Sequence, residues 1–188
     1  MRSIRKISLL AAVVAVAIAA AAPAAASAYK LEYSNGQNLA VGDMFSLNSN
    51  NWRIGGPGGL YSTCANVTLG AEATKNTEAS AEAVNAGFGL AETCFYKNQS
   101  LPTEIKLIGL KFSGSTTGTI TLKVTQDWGE GHICKREGAL PMTFTPGTSV
   151  IKVKGNFPGS WCLTENNMVG DFSLSGTYPF PGQPIIIK

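Results

Sequence analysis

Apolar and polar residues alternate along most of this chain with a period of two, and that period predicts strands. Thr119-Ile120-Thr121-Leu122-Lys123-Val124-Thr125 puts Ile120, Leu122 and Val124 on one face and Thr or Lys on the other, the pattern of a half-buried strand. Ile108, Leu110 and Phe112 alternate in the same way upstream. Ser113-Gly114-Ser115-Thr116-Thr117 between the two runs has the composition of a turn. A hairpin that aligns Leu110 with Ile120 and Ile108 with Leu122 collects every apolar side chain on one face. A second hairpin is centred on Thr145-Pro146-Gly147-Thr148 and pairs Met142 with Ile151 and Leu140 with Val153, leaving Lys152 and Lys154 in solvent. An L-Pro-Gly turn tends to splay strands, so a wider loop also fits there. Further strands are expected at 39–41, 44–47, 67–73, 88–96, 170–174 and 185–187. Residues 76–87, rich in Ala and Glu, suit either a three-turn helix or a strand-turn-strand, and the spacing of the cysteines favours the latter. Many short strands punctuated by Gly and Pro predict an all-β fold, an antiparallel sandwich or barrel, and the leading form is a β-sandwich, Ig-like or jelly-roll-like, of roughly 8–10 strands.

The beginning of the chain follows a different pattern. Arg2, Arg5 and Lys6 precede an unbroken apolar run, Leu9 to Ala22, which leads through Pro23 to Ala26-Ser27-Ala28. That order is a secretory signal peptide over residues 1–28, cleaved before Tyr29. As a helix the run reaches only ~21 Å, short of the ~30 Å hydrocarbon layer, so a membrane anchor is the weaker reading. The expectation is a single secreted, extracellular domain over 29–188 with no transmembrane segment. Of the 15 Lys plus Arg and 12 Asp plus Glu, the leader holds three cations and no acids, so the body balances at twelve against twelve. A nucleic-acid partner is disfavoured, because phosphate binding needs a surplus of cations.

The four cysteines, Cys64, Cys94, Cys134 and Cys162, form an even set in an exported chain, which predicts two disulfides. No close pair of the zinc-binding type occurs. Four cysteines permit three connectivities. The gaps favour neighbours, Cys64 with Cys94 and Cys134 with Cys162, because each spans a strand, a turn and a returning strand.

Candidate chemistry is sparse. Asp127, Glu130 and His132 lie within one Gly-rich turn, and His132 is the chain's one histidine. Two carboxylates and an imidazole so close could bind a divalent metal or move a proton, as in a secreted metal-dependent hydrolase. The plainer reading is a solvated turn in which Asp127 bonds its own backbone. No Gly-x-Ser-x-Gly elbow presents a nucleophile, and Gly55-Gly56-Pro57-Gly58-Gly59 lacks the Lys of a phosphate loop. Trp52, Trp128 and Trp161 fall at predicted strand ends, where an indole serves as a platform for sugar rings or a partner protein, or else plugs the core; Trp161 is expected to pack on Cys162. The leading expectation is a non-enzymatic protein with no cofactor and no metal, binding an envelope glycan or surface protein or forming part of the envelope. The alternatives are the metal-dependent hydrolase and a protease-inhibitor module with its loop near Trp161-Cys162-Leu163-Thr164.

The order of parts also carries a resemblance. An alanine-rich leader is followed by Gly42-Asp43, by Cys64 before Val67-Thr68-Leu69-Gly70, by the three later cysteines, and by Phe172 to Tyr178 with an Ile-rich last strand. This resembles uncharacterised secreted two-disulfide all-β proteins of high-GC Gram-positive bacteria. The resemblance implies export and neighbour-paired disulfides and brings no catalytic residue with it.

Overall fold

A computed structural model describes residues 30–55, 61–77, 80–91, 94–157 and 167–188. The leader expected over 1–28, and Trp161 and Cys162, lie outside the described residues. The described chain is all-β, with fourteen strands: β1 (Leu31–Tyr33), β2 (Met44–Ser49), β3 (Trp52–Gly55), β4 (Tyr61–Cys64), β5 (Val67–Thr77), β6 (Ser80–Ala91), β7 (Cys94–Tyr96), β8 (Gln99–Leu101), β9 (Thr103–Phe112), β10 (Thr117–Asp127), β11 (Ile133–Phe144), β12 (Val150–Asn156), β13 (Asn167–Tyr178) and β14 (Ile185–Ile187).

Eight of them form a closed ring of antiparallel neighbours in the order β12-β11-β10-β9-β6-β5-β2-β13, with β13 returning to β12. The expected β-sandwich of 8–10 strands is therefore corrected to the other form the pattern allows, here a closed eight-strand β-barrel with additional strands. Closure leaves the ring without free edges, a common solution for a long antiparallel sheet. Leu, Ile, Val, Phe and Met side chains from every barrel strand but β6, which contributes Ala81 and Ala83, fill one buried core. β1 and β14 pair as a separate two-stranded sheet and add Leu31, Tyr33, Ile185 and Ile187 to that core. The Asn76 side chain clamps β1 to β5: its Oδ1 accepts the Leu31 N–H at 2.9 Å, and its Nδ2 donates to the carbonyls of Leu31 (2.8 Å) and Leu39 (2.6 Å).

The remaining strands, β3-β4-β7-β8, extend the barrel wall beyond a crease. Val67 opposes Ala91 in the β5–β6 ladder, and three residues further along the same register Cys64 opposes Cys94 in β4–β7. β4 and β7 are thus the β5–β6 hairpin carried past a break. On the neighbouring edge, β13 pairs Ser173 with Asn48 of β2 and then Val169 with Arg53 of β3. Five residues there match four, so β2 and β3 form one strand interrupted by an extra residue, which bends it as a bulge does. The break between β4 and β5 contains Asn66 at φ 55°, a left-handed conformation that Asn tolerates, and Pro102 separates β8 from β9. The Cys64–Cys94 disulfide lies across the extension as expected.

Within 76–87, residues 76–77 and 80–87 are antiparallel strands, with Thr77 opposing Ser80, and no helix forms among the described residues. In the first expected hairpin Leu110 opposes Ile120, but a bulge pairs Leu122 with Leu107. Ile108 is consequently exposed while Leu107 and Ile105 point inward; the extra residue reverses the parity of everything before it. In the second hairpin Met142 opposes Val153 and Phe144 opposes Ile151, two residues from the expected register. The loop is the wider one, and a shift of two keeps each face unchanged. Leu39 is buried but 39–41 forms no strand.

Tyr33 shows how the core accommodates a polar tip. Its hydroxyl donates to Asp43 Oδ2 at 3.1 Å, and its ring packs edge-on to Phe180. Burial first, and then the Asp43 carboxylate, push the phenol well above its usual value of 10. The raised value means that this contribution to stability is complete below about pH 10 and is lost as the pH climbs. Tyr33→Phe is expected to cost about 1 kcal/mol at neutral pH and to flatten the alkaline fall in the urea midpoint; parallel falls in parent and variant between pH 8 and 11 would refute this.

Candidate functional site

β10 and β11 form a hairpin whose turn, residues 128–132, lies beside the extension. Gly129, Glu130 and Gly131 all take left-handed φ values of 82°, 51° and 80°. The two glycines adopt these without strain. Asp127 Oδ1 accepts the Gly129 N–H at 2.9 Å, the Trp128 N–H donates to the His132 carbonyl at 2.9 Å, and the His132 N–H donates to the Gly129 carbonyl at 2.9 Å. The Asp127 carboxylate is therefore tied to its own turn, the plainer of the two sequence readings. Asp127, Glu130 and His132 are exposed, and no group of three His, Cys, Asp or Glu side chains able to hold a metal occurs among the described residues. The three side chains do not gather into the metal-holding group of the alternative reading among the described residues.

The turn instead positions Trp128. This indole is half-buried against the core, and its ring centroid lies 5.3 Å from that of Tyr96, tilted by 58°. Tyr96 belongs to the β7–β8 hairpin, whose two-residue loop, Lys97-Asn98, has φ of 46° and 66°. Two positive values are what a tight type I′ turn requires, and they match the twist of the flanking strands. Lys97 Nζ sits 5.3 Å from the Tyr96 ring centroid, within cation–π range. Two residues before Tyr96, the Cys64–Cys94 disulfide fixes β7 to β4. The result is a rigid aromatic pair beside an open pocket of about 300 Å³, whose rim includes Gln99, Ser100, Pro102 and Asp127. Apolar rings next to an amide, a hydroxyl and a carboxylate are the groups that meet the two sides of a sugar, ring faces on one and hydroxyls on the other.

The other sequence candidates are placed differently. Trp52 is 0 % exposed, stacked edge-on to Phe172 at 5.2 Å between ring centroids, so it is core and not a binding platform. It opposes Cys64 in the β3–β4 ladder, the kind of packing beside a cystine that was expected of Trp161. Cys134 is disulfide-bonded and no described cysteine is free; its expected partner Cys162 lies outside the described residues.

One polar cluster went unread in the sequence. Arg136 of β11 donates through Nη1 to Gln126 Oε1 at 2.8 Å and through Nη2 to the Gly55 carbonyl, Gln126 Nε2 donates to Ser62 Oγ at 2.7 Å, and Ser62 Oγ to the Ile54 carbonyl at 3.3 Å. Arg136, Gln126 and Ser62 are all buried. Burial lowers the guanidinium pKa to about 10. A signal for it existed: Gln126 continues the inward parity of Ile120, Leu122 and Val124, and Arg136 that of Leu140, Met142 and Phe144. The cluster is sealed from solvent and joins the barrel wall to the extension, so its role is structural. No known protein family, curated protein or solved structure matches the chain, and its function is argued from its own residues.

Proposed function

We propose that this chain is an exported, non-enzymatic binding protein, a disulfide-tied β-barrel that holds an envelope glycan in the pocket beside Tyr96 and Trp128. The observation that carries the reading is the aromatic pair itself, fixed on one side by a tight turn and a disulfide and on the other by the Gly-rich hairpin turn. Export is supported by the order of charge, apolar run and small residues before Tyr29, and a second Cys134–Cys162 bond by the even cysteine set. The non-enzymatic reading draws on His132, which is exposed on its turn and apart from the buried polar cluster.

A stacked ring is a typical hot spot, and its truncation commonly lowers affinity by tenfold or more. Chitotetraose, a neutral amino-sugar tetramer, serves as the test ligand in calorimetric titration. Trp128→Ala and Tyr96→Ala are each expected to weaken its binding about tenfold while leaving the far-ultraviolet spectrum intact. Binding unchanged in both variants would remove the pocket from the account.

A further inference from the structure

A row of exposed side chains crosses the outer face from barrel strands β12 and β13 over the extension to the pocket rim. At one level of the ladder Lys154 opposes Val169, Val169 opposes Arg53, Arg53 opposes Thr63, Thr63 opposes Phe95, and Phe95 opposes Ser100. All six are exposed, since each alternates with a buried neighbour on its strand. Tyr61 shares this face two residues from Thr63, and its hydroxyl accepts a hydrogen bond from Asn167 Nδ2 at 2.8 Å. Tyr61, Phe95 and Val169, each 42–43 % exposed, bring three large apolar groups to one surface.

The charge on this face is one-sided. Arg53, Lys152 and Lys154 stand against Asp171, in a body whose cations and acids balance as a whole. Neither Arg53 nor Lys154 forms an ion pair among the described residues. Neighbouring strands lie ~4.8 Å apart, close to the advance of one sugar in an extended pyranose chain. Lys154 and Arg53 are two strands apart, ~10 Å, which is the repeat of every second sugar. Phe95 is two strands beyond Arg53, and the row ends at Ser100, on the rim of the pocket.

We propose that this row binds a linear polysaccharide in which a carboxylated sugar alternates with a neutral one. Carboxylates pair with Lys154 and Arg53, a sugar face lies on Phe95, and the chain ends in the pocket beside Tyr96 and Trp128. The proposal rests on the glycan reading of the pocket and supplies the class of glycan. The test uses a hyaluronan octasaccharide, whose uronate alternates with a neutral amino sugar, beside chitotetraose, with titrations at two salt concentrations. Hyaluronan is expected to bind the parent more tightly than chitotetraose. Replacing both cations (Arg53→Gln with Lys154→Gln) is expected to weaken hyaluronan binding about tenfold and to remove most of its salt dependence, with chitotetraose affinity and Tm unchanged. Hyaluronan binding that is no tighter than chitotetraose, that survives the double substitution, or that poly(glycerol phosphate) equals would overturn the proposal. Chitotetraose binding lost in Trp128→Ala, with hyaluronan indifferent to the double substitution, rejects the row and keeps the pocket. Hyaluronan binding that needs the two cations but not Trp128 keeps the row and rejects the pocket as its end.

Discussion

Trp52→Ala is expected to lower the stability of the barrel by about 3–5 kcal/mol, the range for removing a buried aromatic side chain from a core. The indole is wholly buried, meets Phe172 edge-on and lies opposite Cys64, where the bent β2–β3 strand passes from barrel to extension. Its space is reserved by Gly170: a Cβ there would lie 2.9 Å from the indole Cδ1. Loss of the ring opens a cavity beside the disulfide that backbone on three strands holds open. A domain's net stability is about 5–15 kcal/mol, so this one side chain carries a large share of the margin. Trp52→Phe is expected to cost clearly less, because the Nε1–H it removes has no hydrogen-bond partner among the described residues. Urea midpoints of the two variants check this. A Trp52→Ala loss under 1 kcal/mol would mean that the core closes over the gap and that the indole is not what seats the extension.

That contrast marks what local pattern conveys. Trp52 and Trp128 look alike in sequence, each at a strand end beside polar residues, yet one is core and the other lines a pocket. Alternation was sufficient for β10, where Ile120, Leu122 and Val124 all point inward, and an unbroken apolar run for β14, whose bounds match the expected 185–187. It failed at Ile108, because one bulged residue reverses parity and leaves no mark in the composition. Barrel closure is a long-range property: β13 pairs with β12 close behind it and with β2 near the start of the described chain. No window of ten residues contains both partners, so a flat reading of strand after strand yields an open sandwich. The pocket is non-local in the same sense, since Tyr96 and Trp128 come from different hairpins and meet because β8 runs through Pro102 into β9, whose partner β10 ends just before Trp128. Gln126 and Arg136 were legible by parity alone, but a polar residue at an inward position is ordinarily read as the end of a strand.

Arg136→Ala is expected to cost a further large amount, about 3–5 kcal/mol. The guanidinium bridges two parts of the fold, with β10 and β11 on one side and β3 and β4 on the other, through Gln126, Ser62 and the Gly55 carbonyl. Truncation leaves two buried acceptors, Gln126 Oε1 and the Gly55 oxygen, with neither donor nor water, at about 1–3 kcal/mol each. Removing both side chains of the central pair in Arg136→Met with Gln126→Met is expected to cost no more than Arg136→Ala alone, because an apolar pair of similar volume leaves one orphan fewer. The guanidinium has no carboxylate partner among the described residues, and desolvation alone lowers its pKa to about 10. The unfolded chain therefore holds this proton more tightly than the folded one. The penalty of burying the charge is complete below about pH 10 and is relieved as the pH climbs above it, so the parent gains on Arg136→Met as the pH rises through that window. Urea midpoints at pH 8 and 11 measure the difference, with the opposing Tyr33 contribution common to both proteins. A difference independent of pH would show that water reaches the guanidinium, and a single-step loss under 1 kcal/mol in Arg136→Ala would show that barrel and extension are held together by apolar packing and the disulfide without it.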